Sequence, residues 1–138
     1  MTEEEFKKEI FPLKDKLFRF ALRILKQREE ARDATQDILV KLWKSREKLQ
    51  KYNNVEAFAM TSIKHLCLDK LKHEQVKLRI INEWSREKET GSKPAGEQKE
   101  LFNLVERAME KLPVQQRMAM HLRDIEGITY KEIQEILQ

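Results

Sequence analysis

Four polar side chains in one stretch, Thr61, His65, Asp69 and Lys72, recur at steps of three and four residues, with Lys64 on their flank. On a helix that spacing lines a hydroxyl, an imidazole, a carboxylate and an ammonium group along one side. Such groups suit contacts to phosphates and base edges. Just upstream, Tyr52, Asn53 and Asn54 offer a flat ring and two amides, as would line a pocket for an unstacked base. The same residue types also fit an ordinary solvated face, and composition does not separate the two. A metal is the other chemistry to weigh, because His65, Asp69 and His73 share a side. The helical rise spreads them over about 12 Å, so one ion can bridge two adjacent positions and not all three. With no cysteine pair in support, no metal site is expected.

A second polar face lies earlier in the chain. Asp33, Asp37 and Lys41 stand at four-residue spacing with Gln36 beside them. An Asp37–Lys41 pair on a solvated face contributes a few tenths of a kcal/mol at most. Two acidic groups and an amide on a rigid face equally suit docking of a basic partner helix.

The back of the chain has the order of a helix-turn-helix. Leu112-Pro113 separates two helical runs, Gly127 provides a turn, and Thr129 with Glu132 three residues on matches a capping box. In such motifs a second helix enters the major groove of DNA. Nothing follows Gln138, so the expected motif is incomplete, without its recognition helix.

These faces need helices to carry them. Phe6, Ile10, Leu13, Leu17, Ala21 and Ile24 keep the three- and four-residue rhythm of one buried face, with a kink or restart predicted at Pro12. Ala31, Ala34, Ile38, Leu42 and Leu49 form a second stripe, with Leu39 and Trp43 beside it. Tyr52-Asn53-Asn54 reads as a loop. A third helix is predicted from about Val55 to about Trp84, its inner side carrying Ala59, Ile63, Leu66 and Cys67. Residues 86–98 lack apolar periodicity and hold two of the three glycines, the composition of a flexible tether. Beyond it Leu101, Leu104, Val105, Ala108 and Leu112 predict an amphipathic helix. Arg117, Met118, Ala119 and Leu122 lie on the next, and Ile133, Ile136 and Leu137 on the last. The expectation is all-α: a domain over 1–85, a linker over 86–98, and a partial second domain over 99–138 too small to fold well alone.

Bulk properties exclude more than they select. The 138 residues are 40% hydrophobic and 38% charged, and three glycines and three prolines favour long helices. Residues 1–85 hold 19 Lys/Arg against 14 Asp/Glu, whereas residues 86–138 hold 9 against 10. A basic front half suggests an anionic partner, though a solvated surface can produce the same excess. Cys67 is alone between Leu66 and Leu68, which makes it a packing residue rather than a reactive thiol. No membrane-length apolar run and no signal-like start are present, so a cytoplasmic protein is expected. There is no phosphate-cradling glycine loop, metal-hydrolase His pair or nucleophile–base arrangement. Binding is therefore expected rather than catalysis, with no cofactor and no small-molecule substrate.

Three fragments in order resemble the extracytoplasmic-function group of bacterial RNA polymerase sigma factors. They are Glu30-Ala31-Arg32-Asp33-Ala34-Thr35-Gln36-Asp37-Ile38 with Leu42-Trp43, Ala57-Phe58 with Ile63 through Lys72, and Leu112-Pro113, Arg117 with Glu126 through Ile133. The resemblance covers nearly the whole chain. It implies that Asp33, Gln36, Asp37 and Lys41 dock on the clamp helices of core RNA polymerase. It implies that Tyr52, Asn53 and Asn54, with Thr61, Lys64, His65, Asp69 and Lys72, open and read the minus-ten element of promoter DNA. The second domain would bind the polymerase flap, its complete motif reading the minus-thirty-five element, with Arg117, Tyr130 and Lys131 supporting phosphate contacts. His65 stands where the family usually has asparagine, so no base preference is carried over. A membrane-anchored anti-sigma protein is a further partner the resemblance implies.

Two other readings use the same helices: a protein-interaction adaptor that never touches DNA, and a repressor-like DNA binder. The basic front half favours nucleic acid over the first. The second leaves the Asp33–Asp37 face without a task.

Overall fold

The computed structural model describes residues 1–84 and 100–138, and every regular element among them is helical. Helix α1 (Glu3–Glu9) begins where the Thr2 hydroxyl accepts a hydrogen bond from the Glu5 amide at 3.2 Å. Glu3, Glu4 and Glu5 fill its first turn, where negative charge complements the helix dipole. A single 3-10 turn, Phe11–Leu13, carries Pro12 and separates α1 from α2 (Lys14–Leu25), which is the restart the proline predicts. Helix α2 ends at Lys26, whose φ of 66° is left-handed although the residue is not glycine. Its amide reaches back to the Leu22 carbonyl at 2.8 Å.

Helix α3 (Arg28–Lys44) buries Ala31, Ala34, Thr35, Ile38 and Leu42. The two alanines let its axis come close to α2, and the Thr35 hydroxyl is satisfied by the Ala31 carbonyl at 2.7 Å. One further turn, α4 (Arg46–Leu49), tucks Leu49 into the core before the loop at Tyr52–Asn54. Helix α5 spans Val55–Trp84, the predicted limits. Leu17, Phe20, Ala21 and Ile24 of α2 meet the α3 stripe and Ala59, Met60, Ile63 and Cys67 of α5 in one cluster. Burial pushes the Cys67 thiol up to about 12, so it stays protonated as a packing group.

The back of the chain forms α6 (Glu100–Lys111), α7 (Val114–Met120), a π turn at His121–Ile125 and α8 (Tyr130–Leu137). Gly127 leaves the turn at a φ of +66°, and the Thr129 hydroxyl accepts from the Glu132 amide at 3.3 Å, starting α8 as its capping pattern predicts. The apolar face predicted for α6 is not buried: Leu101, Leu104, Val105 and Ala108 are exposed, and Met109 is the side chain that packs. This helix is held through its charged edge instead, by Glu106 and the Glu110 carbonyl.

The predicted tether at 86–98 lies outside the described residues. What it joins is packed together. Helix α7 lies on α2 and α8 on α5. Met118, Leu122, Ile128, Ile133 and Ile136 belong to the same apolar cluster as Phe20 and Ile63. The apolar side chains of α7 and α8 are thus covered by α2 and α5.

Candidate nucleic-acid and protein interfaces

The α3 face stands out into solvent. Asp33, Gln36, Asp37 and Lys41 are all exposed, and no ion pair joins Asp37 to Lys41. Beside them Val40 is exposed and borders a groove of about 330 Å³ with Phe6, Phe11, Leu39 and Trp43. An acidic rim next to an apolar groove is a surface that can accept a basic, partly apolar helix. Lys41 is set apart from the acidic pair. It borders a hollow of about 340 Å³ shared with His65 and Asp69 of α5, so it belongs to the α5 face.

The loop before α5 is shaped by its own packing. The Tyr52 ring stacks on Phe58 at 4.3 Å between centroids and 21° between planes, and is still 46% exposed. Asn53 is exposed as well, so a ring and an amide face the cleft beside them. Asn54 is used differently from the expectation: its Oδ1 accepts the Ala57 amide at 3.0 Å and caps α5. Its oxygen is thereby committed to the helix start. Along α5, His65, Asp69 and Lys72 point outward, while the Thr61 hydroxyl donates to the Ala57 carbonyl at 2.8 Å.

Lys64 corrects the expectation of a flanking phosphate ligand. It is 3% exposed, and its Nζ donates to the Ile136 carbonyl at 2.5 Å and the Gln138 carbonyl at 3.2 Å. Burial lowers its pKa, since removing water disfavours the ammonium form. Arg117 is corrected in the same way. It is 5% exposed and donates to the Arg23, Ile24 and Leu112 carbonyls at 2.8, 3.1 and 3.0 Å. Burial, then the nearby Arg23 charge, lowers its pKa. Tyr130 and Lys131 do lie in the open, at the start of α8. Among the described residues no three His, Cys, Asp or Glu side chains gather as metal ligands.

A chain of charged groups crosses between the two parts, and sequence reasoning missed it. Glu106 pairs with Arg23 at 2.7 Å, and Arg23 Nε donates to His121 Nδ1 at 3.1 Å. His121 therefore keeps its proton on Nε2 and donates it to Glu126 at 2.9 Å. Glu126 takes two further bonds from Arg19, at 2.9 and 2.8 Å. Burial first, then the Arg23 charge, hold His121 near a pKa of about 4. Burial alone would raise Glu126, but the Arg19 hydrogen bond and the neighbouring charges bring it below its usual value. A signal was present: Arg19, Arg23 and Lys26 recur at helical spacing on α2, and Glu106 and Glu110 do so on α6.

Residues 12–76 match the family description Sigma-70 region 2, and residues 102–138 match Sigma-70, region 4. Together the two matches span well over half of the chain. The fold is similar to that of the sigma factor RpoE solved in complex with the anti-sigma factor NepR from Bartonella quintana. The TM-score is 0.76 at 20% identity, covering 96% of this chain and 82% of that one. An all-helical transcription-initiation factor is the class that this fold and these regions define. The chain belongs to the sigma-70 family, with region 2 followed by region 4, in accord with the extracytoplasmic-function group its sequence resembles.

Proposed function

We propose that this sigma factor docks on the clamp of core RNA polymerase through Asp33, Gln36 and Asp37 of α3, and captures unstacked minus-ten bases beside Tyr52. The observation that carries the reading is the half-exposed Tyr52 ring, braced on Phe58 at a cleft that also takes in Thr61 of α5, the helix that carries the exposed His65, Asp69 and Lys72 further along. A ring already held flat by a second ring loses little freedom when a base stacks on it. His65 and Lys72 then meet the backbone, and the phosphate share of binding falls with added salt. The second part would engage the polymerase flap, with Tyr130 and Lys131 able to approach DNA. A protein inhibitor of the anti-sigma kind, as seen with the Bartonella quintana factor, would compete for these surfaces.

The test is affinity for bacterial core polymerase, followed by opening of a promoter isolated with the assembled enzyme. Asp37→Arg is expected to weaken docking by about tenfold or more, since it sets like charge against the basic partner. Tyr52→Ala is expected to leave docking intact and cost about 1–3 kcal/mol in capture of the opened strand. Unchanged docking by Asp37→Arg removes the clamp interface from the reading.

A further inference from the structure

The two halves of the chain meet along a seam. Arg117 of α7 plugs the end of α2, donating to the Arg23 and Ile24 carbonyls, and Lys64 of α5 plugs the end of α8 at the Ile136 carbonyl. The last carbonyls of a helix lack intrahelical partners and carry its negative dipole end, so buried cations suit them. Beside the Arg117 plug lies His121, 1% exposed, its ring stacked on Phe20 of α2 at 5.8 Å between centroids and 21° between planes. The same side chain borders a cavity of about 600 Å³ between α2 and α6, which gives protons a way in.

The ring fits its place only when neutral. Its Nδ1 needs a free lone pair to accept from Arg23 Nε at 3.1 Å, while Nε2 donates to Glu126 at 2.9 Å. A proton on Nδ1 sets two N–H donors head to head, with like charge on both groups. The surroundings hold no spare counter-charge. Arg19 and Arg23 of α2, Lys26 after it, Arg28 of α3 and Arg117 of α7 stand around the ring and its cavity, against Glu106 and Glu110 of α6 and Glu126. Glu126, the nearest carboxylate, is already held by two hydrogen bonds from Arg19.

We propose that His121 is a proton-operated latch on the seam. A proton at Nδ1 expels the Arg23 guanidinium and breaks the line Glu106–Arg23–His121–Glu126–Arg19. Helices α6 and α7 and the His121 turn then part from α2, while α2, α3 and α5 stay folded on one another. The chain itself thereby reads mild acid as a separation of its halves. The latch rests on the seam alone and not on any reading of the DNA or polymerase surfaces.

His121 titrates at about 4 in the closed seam against an ordinary 6.5 once released, so closure is complete above pH 6.5 and weakens as pH falls. The opening constant should rise about tenfold between pH 7.5 and 5.5. Amide hydrogen exchange of the full chain, divided by the rate of an unfolded reference at each pH, reads that constant even when the open form is rare. Protection of α7 is expected to fall about tenfold across that range, with α3 better protected than α7 at both pH values. In His121→Gln, whose amide can replace the ring without taking a proton, α7 protection should change by less than about twofold. Nitrogen NMR of the parent imidazole should show Nε2 protonated and Nδ1 bare at pH 5.5 in the closed form, a readout that stands even if the variant fails to fold. Four results overturn the latch: α7 protection that does not move with pH, α3 and α7 exchanging together as in whole-chain unfolding, a folded variant as acid-sensitive as the parent, or a doubly protonated ring at pH 5.5 with the seam closed.

Discussion

Lys64 and Lys72 lie on the same helix, and the chain treats them in opposite ways. Lys72 stands in solvent on the outer face of α5, without an ion pair among the described residues. Lys64 is sealed beneath the end of α8 with its ammonium group on carbonyl oxygens. The same contrast separates the exposed Lys131 from the buried Arg117. A cation in a binding protein is available to its partner only when the fold itself does not provide an acceptor. The outer faces of α3 and α5 carry exposed cations of the first kind, Lys41 and Lys72, and the seam is built from the second.

The largest effect should follow from emptying a plug in the seam. Arg117→Ala takes this donor from the buried Ile24 carbonyl and the part-buried Arg23 and Leu112 carbonyls, and about 3 kcal/mol of stability should be lost in urea unfolding. A loss below 1 kcal/mol would mean that water replaces the guanidinium and that the seam is not sealed.

Acid should come next. His121 is held neutral, with its pKa lowered to about 4 from an ordinary 6.5, so the folded form binds its proton less readily than the unfolded chain. Stability from this group is complete above about pH 6.5 and declines as pH falls from there toward 4. Up to about 3 kcal/mol should disappear across that window. Glu126, also lowered, acts in the same direction once pH drops below its unfolded value near 4.5. His121→Gln should flatten the profile between 6.5 and 4. A profile as steep as the parent's would place the titration elsewhere.

The smallest effect on the fold belongs to the outward cation. Lys72→Glu should move stability by no more than about 0.5 kcal/mol. Its effect should appear in promoter opening, with the salt slope of DNA binding reduced by about one unit or slightly more. An unchanged slope would show that Lys72 does not meet a phosphate and would narrow the nucleic-acid face to His65 and the Tyr52 loop.

Much of the architecture was legible because its causes are local. The start of α5, the break at Pro12, the turn at Gly127 and the Thr129 cap each follow from a few adjacent residues. The acidic group on α3 and the Tyr52–Asn54 loop were legible as candidates for the same reason. The cap that Asn54 makes was not read, because its neighbours suggested a pocket, whereas its Oδ1 reaches the Ala57 amide. The exposed stripe of α6 misled because amphipathic spacing states that a face is apolar and not what covers it.

What the residue order determined alone was the set of helices, their starts and stops, and the family to which the chain belongs. Periodicity, capping and turn chemistry act over three or four residues, so they are written along the chain. Which charges remain free was decided only by the tertiary structure. Lys64 meets a carbonyl 72 residues away, and Arg19 meets Glu126 across 107. No local pattern carries such a pairing, because it depends on two helix ends arriving at one point and shutting out water between them.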